Sequence, residues 1–515
     1  MNGRLQEQLD CGGPDMSSPL RRAELVAGDD VAVVCGDVGY TYAETAERCR
    51  CLIAGLRGLG LGAGDRVAVV GGNCHRYLEL YQAVPAGGMV LVPLNHRHAI
   101  AELRYALEDA GTKVLFTASG VEGLEELVEH IIDLRAGYEA LLAAGSGDAA
   151  LADVDPTGLA GLFYTGGTTG AAKGVMLTHR NLVANAMHLQ ACWRFDSATR
   201  WLIAAPMFHA AGSIAVLATV WNGGQHVILP SFDPGTALDL IAEHRVTHTL
   251  MVPTMLAALS DEQRARPREV SSLRHIAHGG APIATETLRR AHATFPGAEL
   301  LHIYGATETS PIATLLPREE RLLDTPQSRS CGRPAVGVEI AILALDGSAL
   351  SVDEVGELAV RGANVMAGYW NKPEQTAAAL IDGWYHTGDL GYQDSRGYIY
   401  LVDRAKDMIV TGGENVYSTE VEEALYRHAA VAEAAVFGIP DSRWGEAVHA
   451  VVVPRARVEI DELRAHCRSL IADYKVPKTI ELRAEPLPKS AAGKLLKREL
   501  RAPYWRDQTL ALAGA

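Results

Sequence analysis

The sequence predicts an α/β protein: a large N-terminal domain of mixed and parallel sheets flanked by helices, with a small barrel-like subdomain, then a smaller α+β C-terminal domain. Three observations predict it. Strand-like and helix-like stretches alternate over roughly the first 250 residues, which is the pattern of parallel strands joined by crossovers. After Arg329 short strands separated by glycine turns take over. Beyond Arg404 a new helix–strand pattern opens, in a chain of 515 residues that is too long for one core and calls for two to four domains.

The elements follow in order. TYAETAERCRCLIAGLRGLG (41–60) opens on a capping-box pattern, Thr41 and Glu44, and ends in glycine. DRVAVVG (65–71), a helix from Asn73 and MVLVPLN (89–95) form a strand–helix–strand unit that implies parallel pairing. HVILP (226–230), HTLMVP (248–253) and LRHIAHGG (273–280) repeat the theme. VEIAIL, GELAVRG and GYIYLVD read as antiparallel, barrel-like strands. In the last section TEVEEALYRH (419–428) is an amphipathic helix with Thr419 and Glu422 as a capping box; VAEAAVFGIP and AVHAVVVP read as strands, and DELRAHCRSLIADY as a helix. The boundary is expected at Arg404–Lys406, giving domains 1–403 and 404–515. The Ala/Gly-rich piece at 143–152 reads as an exposed loop.

Composition narrows the function classes. Apolar residues make up 48% and charged residues 21%, and no stretch approaches the roughly 20 apolar residues of a membrane span. The N-terminus lacks a basic segment followed by an apolar one, so no secretory signal is visible. A formal net charge of -15 disfavours non-specific nucleic-acid binding. The eight cysteines are scattered without a CxxC pair, which fits free thiols in a reducing cytoplasm. Cys49 and Cys51 lie two apart in a helix and face different sides. The histidines show no HExxH-type spacing, so no zinc site is expected.

One stretch carries chemistry on its face. YTGGTTGAAKG (164–174) packs four glycines, three threonines and a lysine into eleven positions after an apolar run. Glycines let backbone N–H groups approach an anion, and hydroxyls and an ammonium add donors. The stretch reads as a polyphosphate loop or as a flexible surface turn. It has no GK[ST], so it is not a Walker A loop, and it is not GxGxxG.

Eight further motifs follow in order: PMFHAAG (206–212), GGAP (279–282), YGATE (304–308), GELAVRG (356–362), GYW (368–370), WYHTGDLG (384–391), DRAKDMIVTGGENVYSTEVE (403–422) and PKSAAGK (488–494). With them the chain, from about residue 25 to 500, resembles the adenylate-forming superfamily of acyl- and aryl-CoA synthetases, luciferases and peptide-synthetase adenylation domains. The resemblance implies an acid–CoA ligase that uses ATP, Mg2+ and CoA to activate a carboxylic acid through an acyl-adenylate. It also implies a C-terminal domain that moves.

Residue roles come with the resemblance. Thr165, Thr168, Thr169 and Lys173 would hold the β- and γ-phosphates, with Gly166 and Gly167 in the same ATP/AMP-binding loop; relatives often have serine where Gly166 stands and proline where Ala172 stands. Glu308 would be the magnesium-linked carboxylate. Tyr304, with the turn Gly279, Gly280, Ala281 and Pro282, would sandwich adenine, and Gly305, Ala306 and Thr307 would belong to the same ATP/AMP-binding site. Asp389 would clamp the ribose and Arg404 contact ribose or phosphate. Lys494 would neutralise charge at the α-phosphate during adenylation. Lys406 would be the hinge, and Gly412 and Gly413 would leave room for a pantetheine arm. Ser418 stands where proline is frequent. Lys497 and Arg498, in the basic run around Lys494, read as a solvated face without that context.

The acyl pocket is expected from His209, Ala210, Gly212, His278, Gly279 and Ile303. His209 is either a group where acyl and thiol channels meet or a packed core histidine. The small residues suggest room for a bulky or ring-bearing acid, or close packing. The resemblance disfavours an amino-acid substrate, because relatives that activate amino acids usually place an aspartate for the α-ammonium in the segment matching PMFHAAG, where this chain has Phe208-His209. Two alternatives stay open: an adenylating enzyme that passes its acyl-AMP to a carrier protein or separate thiolating partner, and a catalytically silent nucleotide-binding homologue. The acid, fatty or aromatic, and any oligomer are left open.

Overall fold

The computed structural model describes residues 13–118, 123–145, 154–165, 172–281, 283, 285–344, 346–404, 407–412, 414–441, 443–489 and 495–512, with side chains to 505. Gly166, Gly167, Thr168, Thr169, Pro282, Lys406, Gly413, Lys494 and most of the 143–152 piece lie outside them.

Among the described residues the first sheet has seven strands. Arg66–Val70, Val90–Leu94, Thr112–Thr117 and His130–Asp133 run parallel, and Leu159–Thr165 joins them next to Val90–Leu94. Lys173–Thr178 turns back antiparallel on Leu159–Thr165, and Gly368–Tyr369 closes the edge. A second, nine-stranded sheet has a parallel centre of Gln225–Ile228, Arg200–Ile203, His248–Met251, His275–Gly279 and Glu299–Tyr304.

The expected strands are apolar on both faces, because both faces are covered. Val67, Val69, Leu91 and Phe116 of the first sheet meet Trp201, Ile203, Ala277, Leu301 and Ile303 of the second in one core. The alternate residues Leu202, Val227, Ile276 and Leu300 pack on the other side with Leu238, Leu256 and Leu288, from the helices Pro234–Glu243, Pro253–Ala265 and Thr285–Thr294.

The helix Tyr42–Gly58 carries the Thr41/Glu44 capping box, with Cys49 fully buried and Cys51 only partly. The helix after Arg66–Val70 is His75–Ala86, and the one after the glycine loop is His179–Cys192, capped by Thr178 and Asn181.

The antiparallel unit contains Val338–Leu343, Gly356–Gly362, Leu380–Ile381, Trp384–Gln393 and Ile399–Arg404. Beyond it Ile409–Thr411, Glu414–Val416, Val431–Asp441, Gly445–Pro454 and Thr479–Leu482 make a separate sheet, with its own core of Ile409, Val421, Leu425, Val436, Val448 and Leu463. The helices there are Ser418–Tyr426, Ile460–Arg468 and Lys497–Leu512.

One local expectation changes. Thr419 and Glu422 do not form a capping box: the helix begins at Ser418, and its N-cap, Tyr417, makes no side-chain cap bond. Thr419 Oγ1 donates to the Val402 carbonyl, and Glu422 accepts from the Val436 N–H and pairs with Lys497. Tertiary partners outcompete the local motif for both side chains.

Burial also holds several histidines neutral. It pushes His248 down to about 3 and His75, His188, His226 and His302 down to about 4. Unfolding exposes them to water, where they take up a proton near pH 6.5. Below that pH the unfolded chain binds more protons, so stability falls as pH drops through the window from about 6.5 to 4 and is flat above it. We predict a loss of about 1 kcal/mol per buried histidine per pH unit inside that window. Urea denaturation at pH 7.5, 6.0 and 5.0 checks this, and His248→Gln should flatten the slope.

Candidate active site

Three connected surfaces converge at the carboxyl ends of the two sheets, where open α/β sheets bind ligands. The glycine loop leaves the first sheet at Thr165 and returns at Lys173, and these two residues are cross-strand partners. The stem is braced from outside through Asp109. Tyr164 Oη donates to Asp109 Oδ2 at 2.7 Å, and Lys372 Nζ donates to Asp109 Oδ1 at 3.2 Å. The Asp109 carbonyl accepts from Trp370 Nε1 at 2.9 Å.

The second surface is the turn after Glu299–Tyr304. Gly305 sits where a Cβ would run into the Pro311 carbonyl and lie 2.7 Å from Thr309 Oγ1, so no larger residue fits. The Ala306 N–H bonds Thr309 Oγ1 at 3.0 Å, and Thr307–Thr309 makes one tight turn that presents Glu308. Asn364, fully buried, pins this turn through the Thr309 and Ile312 carbonyls. The Glu308 carbonyl accepts from the Met366 N–H at 2.9 Å.

The third surface joins the nine-stranded sheet and the antiparallel unit at one carboxylate. Asp389 Oδ2 accepts from Tyr304 Oη at 2.8 Å, and Asp389 Oδ1 pairs with Arg404 Nε at 2.9 Å. Asp389 and Arg404 are cross-strand neighbours. Burial and the Asp389 charge push the Tyr304 phenol well above its ordinary value, so it stays a neutral donor. Each carboxylate oxygen keeps a lone pair for a further donor, which suits two vicinal hydroxyls.

The acyl-pocket residues separate by face. Ile303 points into the core between the sheets. His209 caps the short helix Ala210–Ser213, its Nδ1 accepting from the Ala211 N–H at 3.3 Å. His278 alternates to the opposite side: it is fully buried, bonds Glu319 through Nε2 and stacks on His302 at 4.9 Å. Burial alone would raise the Glu319 carboxyl, but the contact with His278 carries it below its ordinary range. The glycines are small for backbone reasons. A Cβ at Gly212 would strike the Pro206 carbonyl, and one at Gly279 the Ile303 carbonyl. Gly280 has φ +78° and turns the chain toward Ala281. The smallness of Gly212 and Gly279 therefore does not measure pocket width.

Gly412 has φ +62° and donates its N–H to the Trp444 carbonyl at 2.9 Å, and a Cβ there would lie 2.7 Å from the Trp444 ring.

The described part of the site offers a carboxylate suited to a divalent ion. Glu308 offers a carboxylate of which Oε2 has no hydrogen-bond partner among the described residues, a hard oxygen donor of the kind Mg2+ takes alongside phosphate oxygens.

The sequence model of the AMP-binding enzyme family matches residues 20–370, and that of the AMP-binding enzyme C-terminal domain matches residues 420–494. The chain belongs to this family of adenylate-forming enzymes. A feruloyl-CoA synthase from Amycolatopsis sp is 41% identical over 496 residues, covering 95% of this chain and 98% of the relative. ATP-bound MatB from Rhodopseudomonas palustris superposes with a TM-score of 0.87 at 31% identity, over 96% of this chain and 99% of that one. The o-succinylbenzoate–CoA synthetase of Bacillus subtilis, solved with its acyl-adenylate, gives a TM-score of 0.84 at 32% identity, over 95% and 99%. The same synthetase with ATP and magnesium ion gives 0.83 at 32%, over 94% and 99%.

Reading the adenylate-forming motifs residue by residue misses three groups. Tyr369 touches Glu308 and Lys173, although only its motif, GYW, stands out in the sequence. Asp403 is buried and accepts from the Ser418 N–H and Oγ. Lys497 is not a solvated residue: its Nζ bonds Ser418 Oγ at 2.7 Å and pairs with the largely buried Glu422 at 2.8 Å. The start of the last helix, three residues past Lys494, is thereby tied to the strand end at Asp403.

Removing one partner of a buried pair leaves the other charge uncompensated. Lys497→Met should cost about 3–5 kcal/mol in urea denaturation of the full enzyme, and adding Glu422→Leu should recover much of it. A single variant as stable as the wild type would show that water reaches Glu422.

Proposed function

We propose that the chain joins a carboxylic acid to coenzyme A with the site just described. The acid's carboxylate oxygen attacks the α-phosphorus of ATP and pyrophosphate leaves; the CoA thiol then attacks the acyl carbon, and AMP leaves with the bonding pair. The reaction class follows from membership of the adenylate-forming family. The roles of individual residues are our assignment, and the observation that carries it is the Tyr304–Asp389–Arg404 cluster beside Glu308.

Adenylation needs two anions brought together and the charge on the transferring phosphorus stabilised. Thr165 and Lys173 stand at the two ends of the loop that would hold the β- and γ-phosphates, with Thr168 and Thr169 between them. Asp389 would accept from the ribose hydroxyls, its carboxylate already oriented by Tyr304 and Arg404. Gly279–Ala281 and Tyr304 would flank adenine. Glu308 would hold Mg2+, which screens the triphosphate charge when bound. Lys494 would meet the α-phosphate, and Lys406 would be the hinge that withdraws it before thioester formation.

We assign the acid to the ring-bearing class, with a hydroxycinnamate as the first member to test, on the full-length similarity to the feruloyl-CoA synthase. CoA is the proposed acceptor, and a carrier protein is the alternative that the assay separates. A cytoplasmic setting is proposed from the seven described cysteines, all free thiols; among the described residues no helix is long and apolar enough to cross a membrane.

Pyrophosphate release from ATP and magnesium, screened over hydroxycinnamic, benzoic, polycyclic and fatty acids with and without CoA, tests the reading. Pyrophosphate plus a CoA thioester for a hydroxycinnamate supports it. Turnover confined to fatty acids overturns the substrate class, and pyrophosphate without thioester overturns CoA as acceptor.

Lys494→Ala separates the two half-reactions. Adenylation should fall by at least about 100-fold, the scale of losing one group aimed at developing charge, while thioester formation from supplied acyl-AMP is retained. Equal loss of both in a folded variant would contradict the assigned role.

A further inference from the structure

We propose that Tyr369 is a positioning residue for the magnesium-dependent step: one aromatic side chain that orients the Glu308 carboxylate with its hydroxyl and the Lys173 ammonium with its ring face. The inference rests on the ATP-dependent reading above and extends it to a residue with no role there.

Tyr369 Oη donates to Glu308 Oε1 at 2.9 Å. On the face of the same ring lies Lys173 Nζ, 4.4 Å from the centroid, well within cation–π range. Tyr369 therefore touches the carboxylate assigned to the metal and the lysine assigned to the phosphates at once.

The backbone that carries the ring is held by its neighbours. Tyr369 itself is 6% exposed. The short strand Gly368–Tyr369 pairs with Met176 and Val175, in the strand that carries Lys173. The Tyr369 N–H donates to Thr376 Oγ1 at 2.9 Å, and on either side the Ala367 and Trp370 N–H groups bond the Met176 and Gly174 carbonyls. Backbone pairing thus places Tyr369 between the strand of Lys173 and the turn of Glu308.

The arrangement has a physical purpose that a direct ion pair would defeat. Lys173 and Glu308 carry opposite charges in one half-buried site, yet among the described residues no ion pair joins them. A direct Lys–Glu bridge would neutralise both groups and would have to break before the lysine met phosphate and the carboxylate met a cation. The ring separates them: the cation sits on the electron-rich face and the carboxylate at the hydroxyl edge. Each charge is oriented and still available. Groups that orient a metal-bound carboxylate raise its affinity for the ion without touching it.

Two variants distinguish the hydroxyl from the ring. Calorimetric titration of ATP into the full-length protein, at a series of Mg2+ concentrations and in EDTA, reads both without requiring turnover. Tyr369→Phe should shift the Mg2+ midpoint for ATP binding upward by about 10-fold, while ATP affinity in EDTA stays within about 2-fold of wild type. Tyr369→Leu should shift the midpoint similarly and also weaken ATP in EDTA by about 3- to 5-fold, because Lys173 loses its ring. A merely structural tyrosine would lower the melting temperature without separating the two conditions. If wild-type binding depends on Mg2+ and Tyr369→Phe keeps the wild-type midpoint, or weakens ATP equally with and without the ion, the inference fails and the ATP reading stands. If wild-type protein binds no ATP under either condition, both fail.

Discussion

The carboxylate of Asp389 is the point on which the site depends. Its two oxygens are engaged by Tyr304, at the end of a strand of the nine-stranded sheet, and by Arg404, the last residue of the antiparallel unit. One buried anion thereby joins two pieces of the fold, which backbone bonds between Ile399 and Cys331–Gly332 also tie together. The neighbouring residue, Asp403, continues the chain of contacts through Ser418 to Lys497 and Glu422 in the C-terminal sheet unit. Charge buried at these places is costly unless it is paired, so the pairing favours one arrangement of the three units over looser ones.

A second constraint comes from backbone approach. Gly212, Gly279 and Gly305 each sit where a Cβ would strike a main-chain carbonyl oxygen: that of Pro206 or Pro311 six residues away in the same turn, or that of Ile303 on the neighbouring strand. The motifs around them are glycine-rich because the chain passes close to itself at the carboxyl ends of the strands. That closeness brings the 279–281 turn and the 304–308 turn side by side. Function at this site therefore follows from packing that the glycines permit, and the polar side chains are carried on the result.

Much of this was legible in the sequence, for reasons of range. Strands such as Arg66–Val70 and Val90–Leu94 read directly because burial on both faces demands continuous apolar runs, and the Thr41/Glu44 cap reads because it closes within three residues. The Thr419/Glu422 pattern is equally local, yet Val402 and Lys497 take those side chains instead. Lys497 sits in a basic run that reads as solvated, and its partner Ser418 is 79 residues away. His278 stands next to Gly279, but strand alternation sends its ring to Glu319 and His302 on the opposite face from Ile303. Tyr369 was hidden for a related reason: Glu308 lies 61 residues before it, and nothing in the three letters GYW indicates which side chain the hydroxyl meets.

The most direct test of the account is acid-dependent exchange of labelled pyrophosphate into ATP, measured with no thiol present, in wild type and Asp389→Ala. The account predicts exchange in the wild type that requires both a carboxylic acid and magnesium and that Asp389→Ala largely abolishes. Exchange retained in Asp389→Ala, or absent from the wild type with every acid class, would contradict it.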